Sequence, residues 1–213
     1  MIEIVATGAL NTVQDLGRPG YRNIGVTACG AMDTLALTIG NILVGNAPDA
    51  AGIEVQTFPF RLRFSERGAF ALTGADCRAT LDGVPLPPWW TVEAQSGQVL
   101  ELSPPLKDAR AYLCLAGGVD AAPVMGSRST SLRGGFGGVG GRALAAGDRI
   151  AAGAATGGFL PKGGFGVVPP ALALEDVFPR ADGGALVIRA LPAGEHDLFG
   201  ADAKRFWSQP WKI

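Results

Sequence analysis

The sequence predicts a mainly β protein, a barrel or sandwich of short strands that carries one or two short helices. Three observations lead there. Glycine fills 32 and proline 15 of the 213 positions, with glycine at about twice its ordinary frequency of roughly 7%, so tight turns recur along the chain. Phe60-Arg61-Leu62-Arg63-Phe64 alternates strictly, placing two aromatics and a leucine on one face and two arginines on the other, which is the period of a half-buried strand. Asp82-Gly83 lies between short apolar runs within residues 79–86, the preferred two-residue hairpin turn because both positions tolerate positive φ.

The remaining elements follow from the same rules. Residues 90–94, 98–102, 111–116 and 185–190 are strand-like runs separated by Ser-Gly, Pro-Pro, Gly-Gly and Asp-Gly-Gly punctuation, and many such strands argue for a closed or stacked sheet. Leu35, Ile39, Ile42 and Leu43 fall at i, i+4, i+7 and i+8 and predict one helix, capped by Asp33 and closed at Gly45, whose apolar face should plug or flank the barrel. A second short helix is expected over residues 202–208, stopped by Pro210. The division that follows is a first barrel domain over 1–155, a Gly/Pro-rich linker region over 156–183, and the beginning of a second, truncated β-barrel domain over 184–213, too small to stand alone.

Composition excludes several functions. Lys and Arg number 18 against 19 Asp and Glu, for a net charge of −1, and charged residues are only 17% of the chain, so no basic field for nucleic acid exists. Cys29, Cys77 and Cys114 form no C-x-x-C pair, which fits neither a disulfide framework nor a zinc ribbon and suits a reducing compartment. The first residues, Met1-Ile2-Glu3-Ile4-Val5, lack a basic n-region, and no uninterrupted apolar run of membrane-spanning length occurs. A cytoplasmic protein with no membrane or nucleic-acid partner and no bound metal is expected.

Among motifs, Gly135-Phe136-Gly137-Gly138-Val139-Gly140 satisfies G-x-G-x-x-G. The sequence after it has no room for the long helix a dinucleotide needs, so it reads as a glycine loop. No G-x-x-x-x-G-K-[ST] is present. His196 is the only histidine and has no nucleophile-elbow serine to serve, so it reads as a structural or substrate-orienting residue. Trp89-Trp90, Trp207 and Trp211 read as core or interface packing. Two loops are richer in chemistry. Residues 11–21 combine Asn11, Gln14, Asp15, Arg18 and Tyr21 with turn-forming Gly and Pro. Gly126-Ser127-Arg128-Ser129-Thr130 sets an arginine able to hold a carboxylate beside three hydroxyls, and suits an anionic small molecule best.

Read together, residues 12–20, Gly30-Ala31-Met32-Asp33, residues 41–46, Thr73-Gly74-Ala75-Asp76 and residues 126–130 resemble the allophanate hydrolase subunit 2 family, also called the biotin-dependent carboxyltransferase-like family. The resemblance runs from the N-terminus to about Trp211. It implies cyclophilin-like β-barrel domains and a partner, a subunit 1 homologue. In the 5-oxoprolinase branch it implies a third subunit as well, and ATP, with Mg, driving the opening of 5-oxo-L-proline to L-glutamate. The alternatives are a carboxyltransferase-type half that uses biotin to act on urea or a related amide, and a non-catalytic antagonist of a kinase inhibitor. Cys29 stands where the family usually has serine, and the family continues past Ile213 through the rest of a second barrel, so a fragment or truncated member is expected.

On these motifs, residue chemistry assigns Asp15, Asp33 and Glu54 as the carboxylates for acid, base or orienting roles. Arg18, Tyr21, Asn41, Arg128, Ser129 and Thr130 are the substrate-binding candidates, the arginines for carboxylate or phosphoryl oxygens.

Overall fold

The computed structural model describes residues 1–155, 160–169, 179–181, 183–209 and 211. They fall into two compact units, residues 1–169 and 170–213. The first is built from two antiparallel six-stranded sheets packed on one core, the mainly β architecture expected from the sequence. One sheet contains β1 (Ile2–Ala6), β4 (Phe60–Phe64), β6 (Thr80–Leu81), β7 (Val84–Pro85), β9 (Val99–Leu102) and β11 (Arg149–Ile150), in the spatial order β11-β1-β4-β9-β6-β7. The other contains β2 (Thr12–Gln14), β3 (Gly52–Val55), β5 (Gly68–Asp76), β8 (Trp90–Ala94), β10 (Lys107–Leu115) and β12 (Phe165–Gly166), in the order β12-β8-β5-β10-β3-β2.

Alternation explains which side chains meet. In β4, Phe60, Leu62 and Phe64 point into the core, while Arg61 and Arg63 point out. There they face their register partners Glu101 and Glu3 as exposed ion pairs at 3.2 and 3.7 Å, worth little individually. The Asp82-Gly83 hairpin forms as expected between β6 and β7. The β10 strand shows why a run such as Ala111-Tyr112-Leu113-Cys114-Leu115 lacks a clear polar face. Ala111, Leu113 and Leu115 enter the inter-sheet core, whereas Tyr112 and Cys114 enter a second cluster with Ala71, Trp89 and the helix. Both faces are buried, so both are apolar or singly polar.

That helix, α1 (Thr34–Leu43), starts at Asp33, whose Oδ1 accepts from the Ala36 amide at 2.9 Å. Its buried face is only in part the one its large residues predict. Ala36, Leu37, Gly40, Asn41 and Leu43 are buried, while Leu35 and Ile42 are 48% and 57% exposed. The reason is close approach to the sheet. A Cβ on Gly40 would lie 2.8 Å from both Cys114 Sγ and Thr73 Oγ1, and Thr73 Oγ1 is committed to the Ala36 carbonyl at 2.7 Å. Only a residue without a side chain fits that contact, so the Ala36–Gly40 face meets the sheet with Leu37 and Leu43 beside it, and Leu35 and Ile42 are left outward.

Past residue 155, the segment read as linker supplies β12, which pairs with β8 through Phe165 and Thr91, and the first unit extends to residue 169. In the second unit, residues 185–190 form no strand; Leu186 makes an isolated bridge to Arg180. The run is exposed throughout, and among the described residues of the second unit there is no strand whose ladder it could join. A 3-10 turn at His196–Phe199 precedes the expected second helix, α2 (Asp202–Ser208); Pro210 lies outside the described residues. Among the described residues no helix is long and apolar enough to cross a membrane.

The helix contact gives a paired prediction. Gly40→Val should lower unfolding free energy by about 3 kcal/mol or more, because a branched side chain is forced against the sheet. Leu35→Ser on the exposed face should change it by less than about 0.5 kcal/mol. Urea denaturation of both variants checks this.

Candidate functional site

The loops at one region of the first unit are tied together by the buried carboxylate of Asp15. Its Oδ1 accepts from the Gly17 amide at 2.7 Å, Ser127 Oγ at 2.6 Å and Ser129 Oγ at 2.5 Å, and its Oδ2 accepts from the Arg128 amide at 2.5 Å. The Asp15 amide in turn donates to Ser129 Oγ at 2.9 Å, and its carbonyl accepts from the Ala31 amide at 2.8 Å. Asp15 therefore holds the 124–131 loop and the 28–31 segment against the end of β2. Thr130 completes the join, donating from both its amide and Oγ1 to the Val13 carbonyl at 2.9 Å.

Arg18 is equally buried, at 1% exposure. Its Nε donates to the Val124 carbonyl at 3.2 Å and its Nη2 to the Ser129 carbonyl, and its guanidinium lies 4.9 Å from the centre of the Phe136 ring. The glycine loop closes over it. Gly137 has φ of +76°, and a Cβ there would lie 2.2 Å from the Ser129 carbonyl oxygen, so only glycine allows the approach. Part of the loop's amides are spent internally: Gly135 and Phe136 donate to Ser131, Gly138 to Arg128 and Gly141 to Gly137. The G-x-G-x-x-G string thus forms a turn that seals Arg18.

Outside this knot lies an open cleft of about 330 Å³, walled by Asp15, Leu16, Gly17, Asp49, Gly117, Asp120, Gly126 and Arg128, among others. Asn41 shapes its far wall without facing it. Fully buried, Asn41 donates to the Ala50 carbonyl at 2.7 Å and accepts from Asn46 at 3.0 Å. Asn46 also reaches the Leu115 carbonyl and accepts from the Gly117 amide at 2.7 Å. Of the residues predicted from sequence, Asp15 and Arg128 line the cleft, and only Arg128 presents an exposed side chain there. Arg18, Asn41, Ser129 and Thr130 are turned into the protein. Tyr21 lies half-buried at the start of a 3-10 turn and does not line the cleft.

Asp33 and Glu54 form a separate group on the outer face of the second sheet, where Tyr112 joins them. The Tyr112 hydroxyl donates to Glu54 Oε2 at 2.7 Å and accepts from the Asp33 amide at 2.7 Å. Glu54 Oε2 also accepts from the Met32 amide at 2.8 Å, and Arg110 Nε lies 3.8 Å from Oε1. Burial pushes the Tyr112 phenol well above its ordinary pKa, and the hydrogen bond to Glu54 adds to the rise. The phenol is thus a fixed donor at neutral pH. Glu54 and Tyr112 pin residues 32–33 and with them the start of α1.

His196, in the second unit, accepts from Trp207 Nε1 at 3.1 Å and lies 3.2 Å from the Asp197 carboxylate. Trp89 is buried and donates to the Gly74 carbonyl at 2.9 Å. Asp49, Asp120, Asn46 (beyond its place in the 41–46 motif) and Tyr112 were not singled out from sequence. The first three sit in turn-like Gly, Pro and Asn surroundings, and Tyr112 sits in an apolar strand, so none had a spacing to mark it.

The fold and cleft define a two-sheet β protein with a polar loop-built site, and comparison with known proteins places it. Residues 24–213 match the family described as carboxyltransferase domain, subdomain A and B, and the chain belongs to that family. It is 39% identical over its full length to a subunit of the 5-oxoprolinase of Escherichia coli and 36% identical over 97% of its length to the corresponding 5-oxoprolinase subunit of Haemophilus influenzae. It spans 64% and 62% of those two proteins. The crystal structure of the Kluyveromyces lactis urea amidolyase superposes over 100% of this chain and 13% of its own, with a TM-score of 0.74 and 28% identity.

Two tests follow from this geometry. Asp15→Asn leaves one acceptor oxygen where two served four donors, and should lower unfolding free energy by about 2–4 kcal/mol in urea denaturation. Burial pushes the Cys77 thiol up to about 12, with Asp76 adding to it, and pushes Cys114 up further; Cys29 is exposed. A thiol-specific reagent should therefore label Cys29 alone in the folded protein at neutral pH, and all three after unfolding.

Proposed function

We propose that this chain is part of a 5-oxoprolinase: together with partner subunits, a subunit 1 homologue and a third subunit, it helps to open 5-oxo-L-proline to L-glutamate at the expense of ATP. The observation that carries the reading is the 39% identity to the Escherichia coli 5-oxoprolinase subunit across the whole chain. The cleft supports it. Arg128 is exposed there, and its side chain has no hydrogen-bond or ion-pair partner among the described residues. Its backbone is fixed on both sides, by Asp15 at the amide and by Gly138 at the carbonyl. A guanidinium fixed at its base and free at its tip suits the carboxylate of a small substrate.

No group of three or more His, Cys, Asp or Glu able to hold a metal ion occurs among the described residues, and the Gly135, Phe136 and Gly138 amides of the glycine loop are engaged by protein carbonyls. We assign the phosphoryl chemistry to the partner subunits, and to this chain the binding and orientation of the small substrate. Asp15, Arg18, Asn41, Ser129 and Thr130 act by positioning the walls of the cleft, and Asp33 and Glu54 by holding the segment that leads into α1.

Likeness to the urea amidolyase structure favours one other reading, a carboxyltransferase-type half that uses biotin on urea or a related amide. The test is ATP hydrolysis by the assembled subunits with and without this chain. Stimulation that depends on both 5-oxo-L-proline and this chain is expected, and Arg128→Ala should lower kcat/KM by on the order of a hundredfold. Full activity of the Arg128 variant removes the assigned role. Urea-dependent turnover that avidin blocks selects the other reading.

A further inference from the structure

We propose that Asp49 and Asp120 form an amine pole in the Arg128 cleft, so that the cleft takes molecules carrying both a carboxylate and a nitrogen donor: α-amino acids and their cyclic amides. The identification of Arg128 as the carboxylate anchor rests on the function proposed above. The pole itself rests on a separate observation. Both aspartates line the same cleft as Arg128, both are exposed, and among the described residues neither side chain has a hydrogen-bond or ion-pair partner, Arg128 included.

Their backbones are nevertheless fixed. Asp120 donates from its amide to the Ala151 carbonyl at 3.0 Å, and Asp49 lies in a turn closed by Ala50 donating to Ala47 at 3.0 Å. Asn41 holds Ala50 from beneath at 2.7 Å. Two negative charges and one positive charge are thus offered from fixed supports to one concavity.

That balance discriminates among ligands. A simple carboxylate gains from Arg128 but meets two carboxylates, which repel it. A ligand that also carries N–H or ammonium groups turns the repulsion into charge-assisted hydrogen bonds. The same feature bears on ring opening. When water adds to the lactam carbonyl carbon and the C–N bond breaks, the electron pair goes to nitrogen. The neutral lactam N–H gains a proton from the water and, at neutral pH, another from solvent to become an ammonium. Asp49 and Asp120 interact more strongly with that developing positive charge than with the starting amide, so they favour departure of the amine.

Calorimetric titration of the full chain tests the pole with three probes: L-glutamate, 5-oxo-L-proline and glutarate, which keeps the carboxylates and lacks nitrogen. L-Glutamate should bind at least about tenfold more tightly than glutarate, and 5-oxo-L-proline should bind as well. In the double variant Asp49→Asn, Asp120→Asn that preference should vanish while the thermal midpoint stays put, because both side chains are exposed. Equal binding of glutarate and L-glutamate, retention of the preference by the double variant, or failure of all three probes to bind overturns the proposal. The two readings separate cleanly. An aspartate-dependent preference without 5-oxoproline-dependent ATP hydrolysis in the assembly keeps the site and rejects the enzyme. An active assembly whose double variant keeps wild-type kcat does the reverse.

Discussion

The cleft exists because one carboxylate is buried where irregular backbone would otherwise be left unsatisfied. Loops that run into a protein carry amides with no ladder to join, and each unmet donor costs on the order of 1–3 kcal/mol. Asp15 answers four donors from three loop positions and the end of its own turn. Burying its charge is itself unfavourable, so the arrangement is stable only while the donors stay in place, and the donors stay in place only while the charge is there. Arg18 is held less completely and with opposite sign: Nε and Nη2 meet two carbonyls and the guanidinium faces a ring, while the buried Nη1 has no partner among the described residues. The position of Arg128 is therefore a consequence of Asp15, through the hydrogen bond at its amide.

The outer face of the second sheet shows the same dependence at lower charge. Gln14, Glu54, Tyr112 and Thr73 occur on adjacent strands and all point away from the inter-sheet core. Each takes a backbone group of the segment lying above it: Gln14 accepts from Gly30, Glu54 from Met32, Tyr112 from Asp33, and Thr73 donates to Ala36. A row of side chains thus fixes the path from residue 30 into α1, and Gly40 then lets the helix settle close to the strands. The seat of the helix is determined by polar partners and by lack of bulk, and its exposed Leu35 and Ile42 are what remains after those terms are met.

This explains which parts of the protein were legible in the sequence. Strands with one wet face, such as Phe60–Phe64, and turns with special backbone demands, such as Asp82-Gly83, carry their environment in their pattern. The face of α1 did so only in part: Leu43 is buried as its position predicts, but the close fit of Gly40 to Thr73 and Cys114 turns Leu35 and Ile42 outward. The site candidates were legible as a group, since Asp15, Arg18, Ser129 and Arg128 do converge. Their individual roles were not. Burying loops demands the same residue types that catalysis uses, carboxylates, guanidinium groups and hydroxyls, and a string of letters does not show which of them have their hydrogen bonds already filled. Asp49 and Asp120 escaped for the opposite reason, because aspartate in a Gly, Pro or Asn turn is ordinary turn chemistry.

Saturation is thus the property that separates scaffold from working surface here. A side chain whose acceptors and donors are engaged can set a distance but has little left to offer a ligand, and Asp15, with three donors on Oδ1 and one on Oδ2, is largely spent in this way even though it reaches the cleft wall. A charged side chain left free on a flat surface offers little either, because water of high dielectric screens it over a few ångströms. The combination that matters is a free charge in a concavity, where part of the surrounding water is replaced by protein and field lines are less screened. Arg128, Asp49 and Asp120 meet both conditions, and they are carried on backbone that buried polar groups hold still. Preorganised charge of that kind loses little in reorganisation when a ligand arrives, so its sign pattern, rather than the volume of the cleft, governs which small molecules it admits.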